Sequence, residues 1–292
     1  MSKIKHKLVP YWFLLPSLML YSIWIIAPTI YSFYLSFSDW DGISPRLNFI
    51  GFKNYTKLFS DPVFHICLTN NLNWLLIFIS VPIVLGLALA ISLDRDVKGA
   101  RILKTIFYLP MAISLVAVNL MWSWIYNPAY GVLNTTLTKV GLESLTRGWL
   151  SDPGLVLYCI IIAACWGQTA YVLVLFVAGL SNVPPNLIEA AKVDGASFWD
   201  IIRYVILPLL KPVTVIVIIV TVIGSLRVFD IVYTMTKGGP FNSSNVLAVF
   251  MFIESFNNYR MGYGASTAVI LFFISLAFVV NADSLDSQVR KD

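Results

Sequence analysis

The chain has 292 residues, 58% of them hydrophobic and only 12% charged, with a formal net charge of +5. A soluble domain carries about 25% charged residues, so the composition excludes an ordinary soluble protein and points to an integral membrane protein. The basic residues sit at the ends of apolar runs, which marks membrane flanks rather than a nucleic-acid-binding surface.

Six apolar runs approach the roughly 20 residues that a spanning helix needs. They cover about 11–35, 70–93, 103–126, 155–180, 212–232 and 263–280, the last being only just long enough. The first is too long for a cleaved signal peptide and no A-x-A site follows it, so it is expected to remain as a helix. Lys3, Lys5 and Lys7 precede it, and Arg95, Lys98, Arg101 and Lys104 fill the short second loop. Lys192, Arg203 and Lys211 flank the fourth loop, and Arg290 and Lys291 close the chain. With six spans all of these fall on one side, and basic flanks stay in the cytoplasm. The expected organisation is a cytoplasmic N-terminus at 1–10, an all-α six-helix domain at 11–281 with a cytoplasmic loop at 181–211, and a cytoplasmic tail at 282–292. The loops at about 36–69, 127–154 and 233–262 are expected outside. Tyr11, Trp12, Tyr31, Trp122, Trp124 and Tyr126 cluster at span ends, as an interfacial aromatic belt does.

Signs of covalent chemistry are missing from the sequence. Cys67, Cys159 and Cys165 form no C-x-x-C pair, and His6 and His65 are the two histidines. No H-E-x-x-H, G-x-S-x-G or G-x-x-x-x-G-K-[ST] pattern occurs. Neither catalysis nor a metal or nucleotide cofactor bound by this chain is expected.

The polar segment "EAAKVDGASFWDIIRYVILP", 189–208, interrupts the second half. "SNVPPN" before it sets a helix start, because proline is tolerated in a first turn. Gly195 can end that helix, since glycine takes a left-handed backbone cheaply. Ser197 then offers an N-cap with Asp200 three residues on, a capping-box pattern. Phe198, Ile201, Ile202 and Val205 share one apolar face, and Pro208 is expected to break the second helix. Two readings stand at this point: an amphipathic pair lying on the lipid surface, or a docking element.

Glu189, Ala190, Ala191, Asp194, Gly195, Ala196, Leu207 and Pro208 resemble the EAA loop of permease subunits in binding-protein-dependent ABC importers. "FIGFKNYTKLF" (49–59), "AGLSNVPPNLIEAA" (178–191) and "RVFDIVYTMTKGGPFNSS" (227–244) resemble the carbohydrate members, the maltose-permease-F-like and glycerol-phosphate-permease-A-like subunits. Ile202 stands where the loop often has Phe, and the tail "NADSLDSQVRKD" departs from the longer apolar end of such permeases. The resemblance implies a bacterial or archaeal inner-membrane protein whose loop docks into an ATPase subunit. It implies a second permease subunit, two ATPase subunits carrying ATP and Mg, and an extracytoplasmic sugar-binding protein as partners.

It further implies a sugar path between the fourth and fifth helices, drawing on Trp166, Gly167, Gln168 and Tyr171, and on Thr221, Gly224, Ser225 and Val228. Polar groups at membrane depth tend to be functional, although Thr and Ser also bond back to their own helix or glue helices together. Arg227 and Asp230 complete the set; at i and i+3 they are placed to form an ion pair. Asn119 with Trp122 is a further candidate, and Gly238, Gly239 and Pro240 read as a tight external turn. The rival classes are an ion-coupled secondary transporter, a membrane enzyme, and an ABC permease for a non-sugar solute. The scarcity of mid-span carboxylates speaks against the first, and the lack of a catalytic cluster against the second.

Overall fold

The computed structural model describes residues 2–93 and 100–289, so Arg95, Lys98, Arg290 and Lys291 lie outside the described residues. The described residues are helical, with no strand among them and one isolated bridge between Ser38 and Phe49. Five helices are long and apolar enough to cross a membrane: Trp12–Ser36, Pro62–Leu93, Val156–Leu180, Lys211–Met235 and Met261–Val280. Ile102–Ala112 and Leu115–Ile125 form an apolar pair bent by 99°, which makes a sixth span when its two halves are taken as one. In chain order these are spans 1 to 6.

Three boundaries differ from the sequence expectation. Span 2 begins at Pro62 instead of 70, because the Asp61 carboxylate accepts the Val63 amide at 2.8 Å and proline occupies the first turn. Span 3 is not continuous over 103–126. Pro110 removes one ladder bond, and Ser114 adopts an extended ψ of 135° before the helix restarts at Leu115. Span 5 is interrupted as well: its first helix ends at Leu226, and Asp230–Met235 forms a separate turn. The loops after spans 1, 3 and 5 carry short helices at Lys53–Phe59, Val132–Lys139 and Leu247–Phe252.

The chain divides into two compact units. One joins the residues up to Phe64 with Phe250–Phe272; the other holds His65–Val249 and the residues from Phe273 on. In the first, the buried Asn54 amide donates to the carbonyls of Ser36 and Ser38 at 2.9 and 2.7 Å, capping the end of span 1. Tyr263 donates to Asp61 at 2.8 Å.

The second unit holds the core that positions the site. Ala90 and Leu93 of span 2 pack with Val172, Leu173, Phe176 and Leu180 of span 4, and with Ile201, Ile202, Ile206, Leu210 and Val217 on the way into span 5. In lipid such packing rests on close contact more than on water exclusion. Gly86 shows this: a Cβ there would stand 2.6 Å from Val172 Cγ1, so glycine is what lets spans 2 and 4 meet.

Candidate functional site

The interruptions in spans 3 and 5 open on the same space. A cavity of about 430 Å³ is lined by Pro110, Met111, Ile113 and Leu115 around the bend of span 3 and by Arg227, Val228, Phe229, Asp230 and Ile231 around the break in span 5. Trp74 and Phe78 of span 2, Asn119 of span 3 and Gly167 and Gln168 of span 4 complete much of its wall. Irregular backbone at membrane depth is tolerated where it is buried in protein or lines a cavity. The volume falls within the range of small-molecule sites, about 300–1,000 Å³.

The anticipated path residues divide between wall and support. Gly167, Gln168, Gly224, Arg227, Val228 and Asp230 line the cavity; Trp166, Tyr171, Thr221 and Ser225 are not among its lining residues. Thr221 and Ser225 are fully buried. The Thr221 hydroxyl accepts from Gln168 Nε2 at 3.0 Å, and Ser225 donates to the Val222 carbonyl at 2.8 Å. Trp166 packs edge-on against Trp122, with ring centroids 6.1 Å apart and planes at 72°.

Arg227 and Asp230 do not pair. Among the described residues the ion pair found is Arg260–Glu254, at 3.4 Å. The i, i+3 argument needs a continuous helix, and the break at Arg227–Phe229 removes it: Phe229 has φ −138° and ψ −60°. Both residues instead line the cavity. Trp74 gives no sign of a role because it follows Asn70, Asn71 and Asn73 as the first residue of an apolar stretch, and Pro110 is the visible signal for the bend in span 3.

The segment between spans 4 and 5 takes the local form read from its residues. Pro185–Val193 is a helix, Gly195 has φ +81°, and Ser197 caps the next helix through a capping box with Asp200. The Gly195 amide donates to the Lys192 carbonyl at 3.1 Å and the Ala196 amide to the Ala191 carbonyl at 2.9 Å, the bond pair of a Schellman motif. Hydrogen bonds from the Ser197 hydroxyl and then the Ser197 amide hold the Asp200 carboxyl below its ordinary range. Pro208 does not stop the second helix. The turn Ile202–Ile206 is a π-turn, closed by the Leu207 amide on the Ile202 carbonyl, and this wider turn takes up the register next to proline's missing N–H.

Ile201, Ile202 and Ile206 face the core, while Phe198, from the same expected face, is 41% exposed. The opposite side of the segment is apolar in part and uncovered: Val193 is 86% exposed, Trp199 74% and Tyr204 67%. Glu189, Ala190 and Asp194 are exposed beside them, and the space around Gly195 is open.

Residues 82–291 match the family described as binding-protein-dependent transport system inner membrane component. The chain belongs to this family. The permease is 39% identical over 268 residues to a probable ABC transporter permease protein of Pyrococcus horikoshii, with 92% of each chain covered. It is 31% identical over 284 residues to the trehalose/maltose transport system permease protein MalF of Thermococcus litoralis, covering 96% of this chain and 94% of the relative. Its fold matches a chain of the bacterial alginate ABC transporter, solved in complex with an alginate pentasaccharide-bound periplasmic protein. That match has a TM-score of 0.87 and 22% identity, over 99% of this chain and 97% of the other. The permease is therefore a multi-pass inner-membrane transport component of an ABC importer, which sets aside the ion-coupled transporter and the membrane enzyme.

Proposed function

We propose that this permease forms half of the path for a sugar or oligosaccharide, with residues 189–208 as its contact with an ATPase subunit. The observation that carries the coupling reading is the segment itself. It is a helix–glycine–helix corner whose inner isoleucines are rooted in the core of spans 2, 4 and 5, and whose outer face is uncovered. A push on Glu189, Ala190, Ala191, Asp194, Gly195 and Ala196 passes along the π-turn, Leu207 and Pro208 into span 5. Span 5 carries one of the two breaks that line the cavity. Two ATPase subunits hold ATP and Mg and do the hydrolysis; a second, homologous permease completes the path, and an extracytoplasmic binding protein delivers the solute. Both termini and the 181–211 loop lie in the cytoplasm, while 1–10 and 282–292 flank the permease domain there. Alternating access is then a shift between inward-open and outward-open populations, effective to the extent that ATP and loaded binding protein favour the outward state. The sugar assignment is supported by the relatives' names and by a cavity that mixes apolar wall with a few polar groups.

The test is co-purification from the native membrane followed by ATP hydrolysis measured with and without trehalose, maltose and xylose. A second permease and an ATPase in the complex, with hydrolysis stimulated by a sugar-loaded binding protein, is the expected result. A Glu189→Lys variant that transports normally would sink the coupling role.

A further inference from the structure

Resting on the sugar reading, we infer that solute recognition draws on Trp74 of span 2 and Asn119 of span 3, beyond the helices expected to form the path. Both line the cavity, at 0% and 1% exposure. Each carries a buried polar atom without a hydrogen-bond partner among the described residues, Trp74 Nε1 and Asn119 Oδ1. Buried polar atoms are satisfied in the great majority of cases; of the three exceptions among the described residues, the third being Trp122 Nε1, two belong to residues of this one cavity wall and call for a cause.

The identity of the free Asn119 atom follows from its neighbours. Thr234 gives its hydroxyl hydrogen to the Asp230 carbonyl at 2.6 Å, so toward Asn119 it can act only as an acceptor. Asn119 therefore turns its NH₂ to Thr234, at 2.7 Å, and its oxygen is what remains. An indole nitrogen can only donate. Two residues of this wall thus carry one unused donor and one unused acceptor.

This pair selects a chemistry. A carboxylate or phosphate satisfies the indole but has no hydrogen for Asn119, and an ammonium does the reverse. Hydroxyls both accept and donate, so a hydroxyl-rich ring satisfies both atoms. Thr221 and Ser225 are less available, since the Thr221 hydroxyl already accepts from Gln168 and the Ser225 hydroxyl already donates to its own helix; Gln168, Arg227 and Asp230 remain as polar lining from spans 4 and 5.

The experiment is saturation-transfer NMR on the permease–ATPase complex in detergent, with the binding protein left out so that it contributes no site. The probes are trehalose, maltose and xylose, followed by monodeoxy analogues of whichever binds. Trp74→Phe and Asn119→Leu are each expected to weaken binding about threefold to tenfold, the effect of losing one hydrogen bond. At least one deoxy position should weaken binding to the unaltered complex and make no difference to Asn119→Leu, a pattern that a packing defect does not produce. If Asn119→Leu fails to co-purify with its partners, Trp74→Phe and its own deoxy series decide. Binding of a sugar with variants that titrate like the unaltered complex would overturn the Trp74–Asn119 wall and leave the sugar reading standing. No binding of any probe would overturn both.

Discussion

Gly195 is where the corner proposed to couple to the ATPase can be perturbed with least disturbance elsewhere. Its φ is +81°, and nothing lies within 4 Å of the place a Cβ would occupy. Alanine therefore meets no clash, and its cost is the left-handed backbone alone, about 1–2 kcal/mol. At about 1.4 kcal/mol per factor of ten, this shifts the population of the correct corner by about fivefold to thirtyfold. Asparagine tolerates the left-handed region better than alanine despite its greater size, and a β-branched residue tolerates it worst. The assay is sugar-stimulated ATP hydrolysis and uptake per assembled complex for Gly195→Asn, Gly195→Ala and Gly195→Val. The expected order of coupling is Gly, Asn, Ala, Val, with membrane insertion unchanged. If asparagine proved worse than alanine, side-chain size at a tight interface would govern the site, and the backbone argument would be refuted.

Gly86→Ala forces a Cβ against Val172, and overpacking of this kind costs about 1–3 kcal/mol. Its Tm in detergent should fall, and Val172→Ala in the same chain should restore part of the loss. Asn71→Ala strands the Leu247 amide, which it accepts at 2.8 Å, in a fully buried place. A loss of about 1–3 kcal/mol is expected, read as a lower Tm. Asp200 has a depressed carboxyl pKa in the folded chain, so its cap contributes fully above the ordinary carboxyl value of about 3.9 and is lost as pH falls through the lower, folded value. Protection of the Ser197 amide, corrected for intrinsic exchange, should stay level from pH 7 to 5 and drop only below about pH 4. Asp200→Asn should show low protection throughout, and a fall between pH 7 and 5 in the unaltered chain would contradict the capping account.

Much of the fold was legible because spanning helices announce themselves by length and apolarity, and the six runs correspond to five continuous spans and one bent helix pair. The corner at Gly195 was legible for a different reason. Proline, glycine, serine and aspartate stand there at offsets that the capping rules interpret directly, and the bonds of Ser197 and Asp200 follow them. What escaped depends on tertiary contact. The 99° bend of span 3 lies in a run whose hydropathy does not dip. The break in span 5 separates Arg227 from Asp230, which the uninterrupted helical period would have placed side by side. Trp74 escaped because it reads as one more apolar residue, and its single N–H matters only once it is seen to lack a partner.

These misses share a physical origin in the backbone's demand for hydrogen bonds inside a bilayer, where interrupted helices must find partners within the protein. Asn71 reaches from span 2 to the Ser225 and Leu226 carbonyls at 3.4 and 3.5 Å and accepts the Leu247 amide. Thr234 returns to the Asp230 carbonyl, and Asn119 donates to Thr234. Side chains that a hydropathy scan counts as interruptions are thus what sustains the break facing the cavity. A polar residue within a span of this permease cannot be assigned to the solute on polarity alone. The deciding property is whether its hydrogen-bonding capacity is already taken up by the protein. On that criterion Ser225, whose hydroxyl is bonded to its own helix, belongs to the support, and Trp74 and Asn119, cavity-lining residues that each keep an unmatched atom, are the ones proposed to meet the solute.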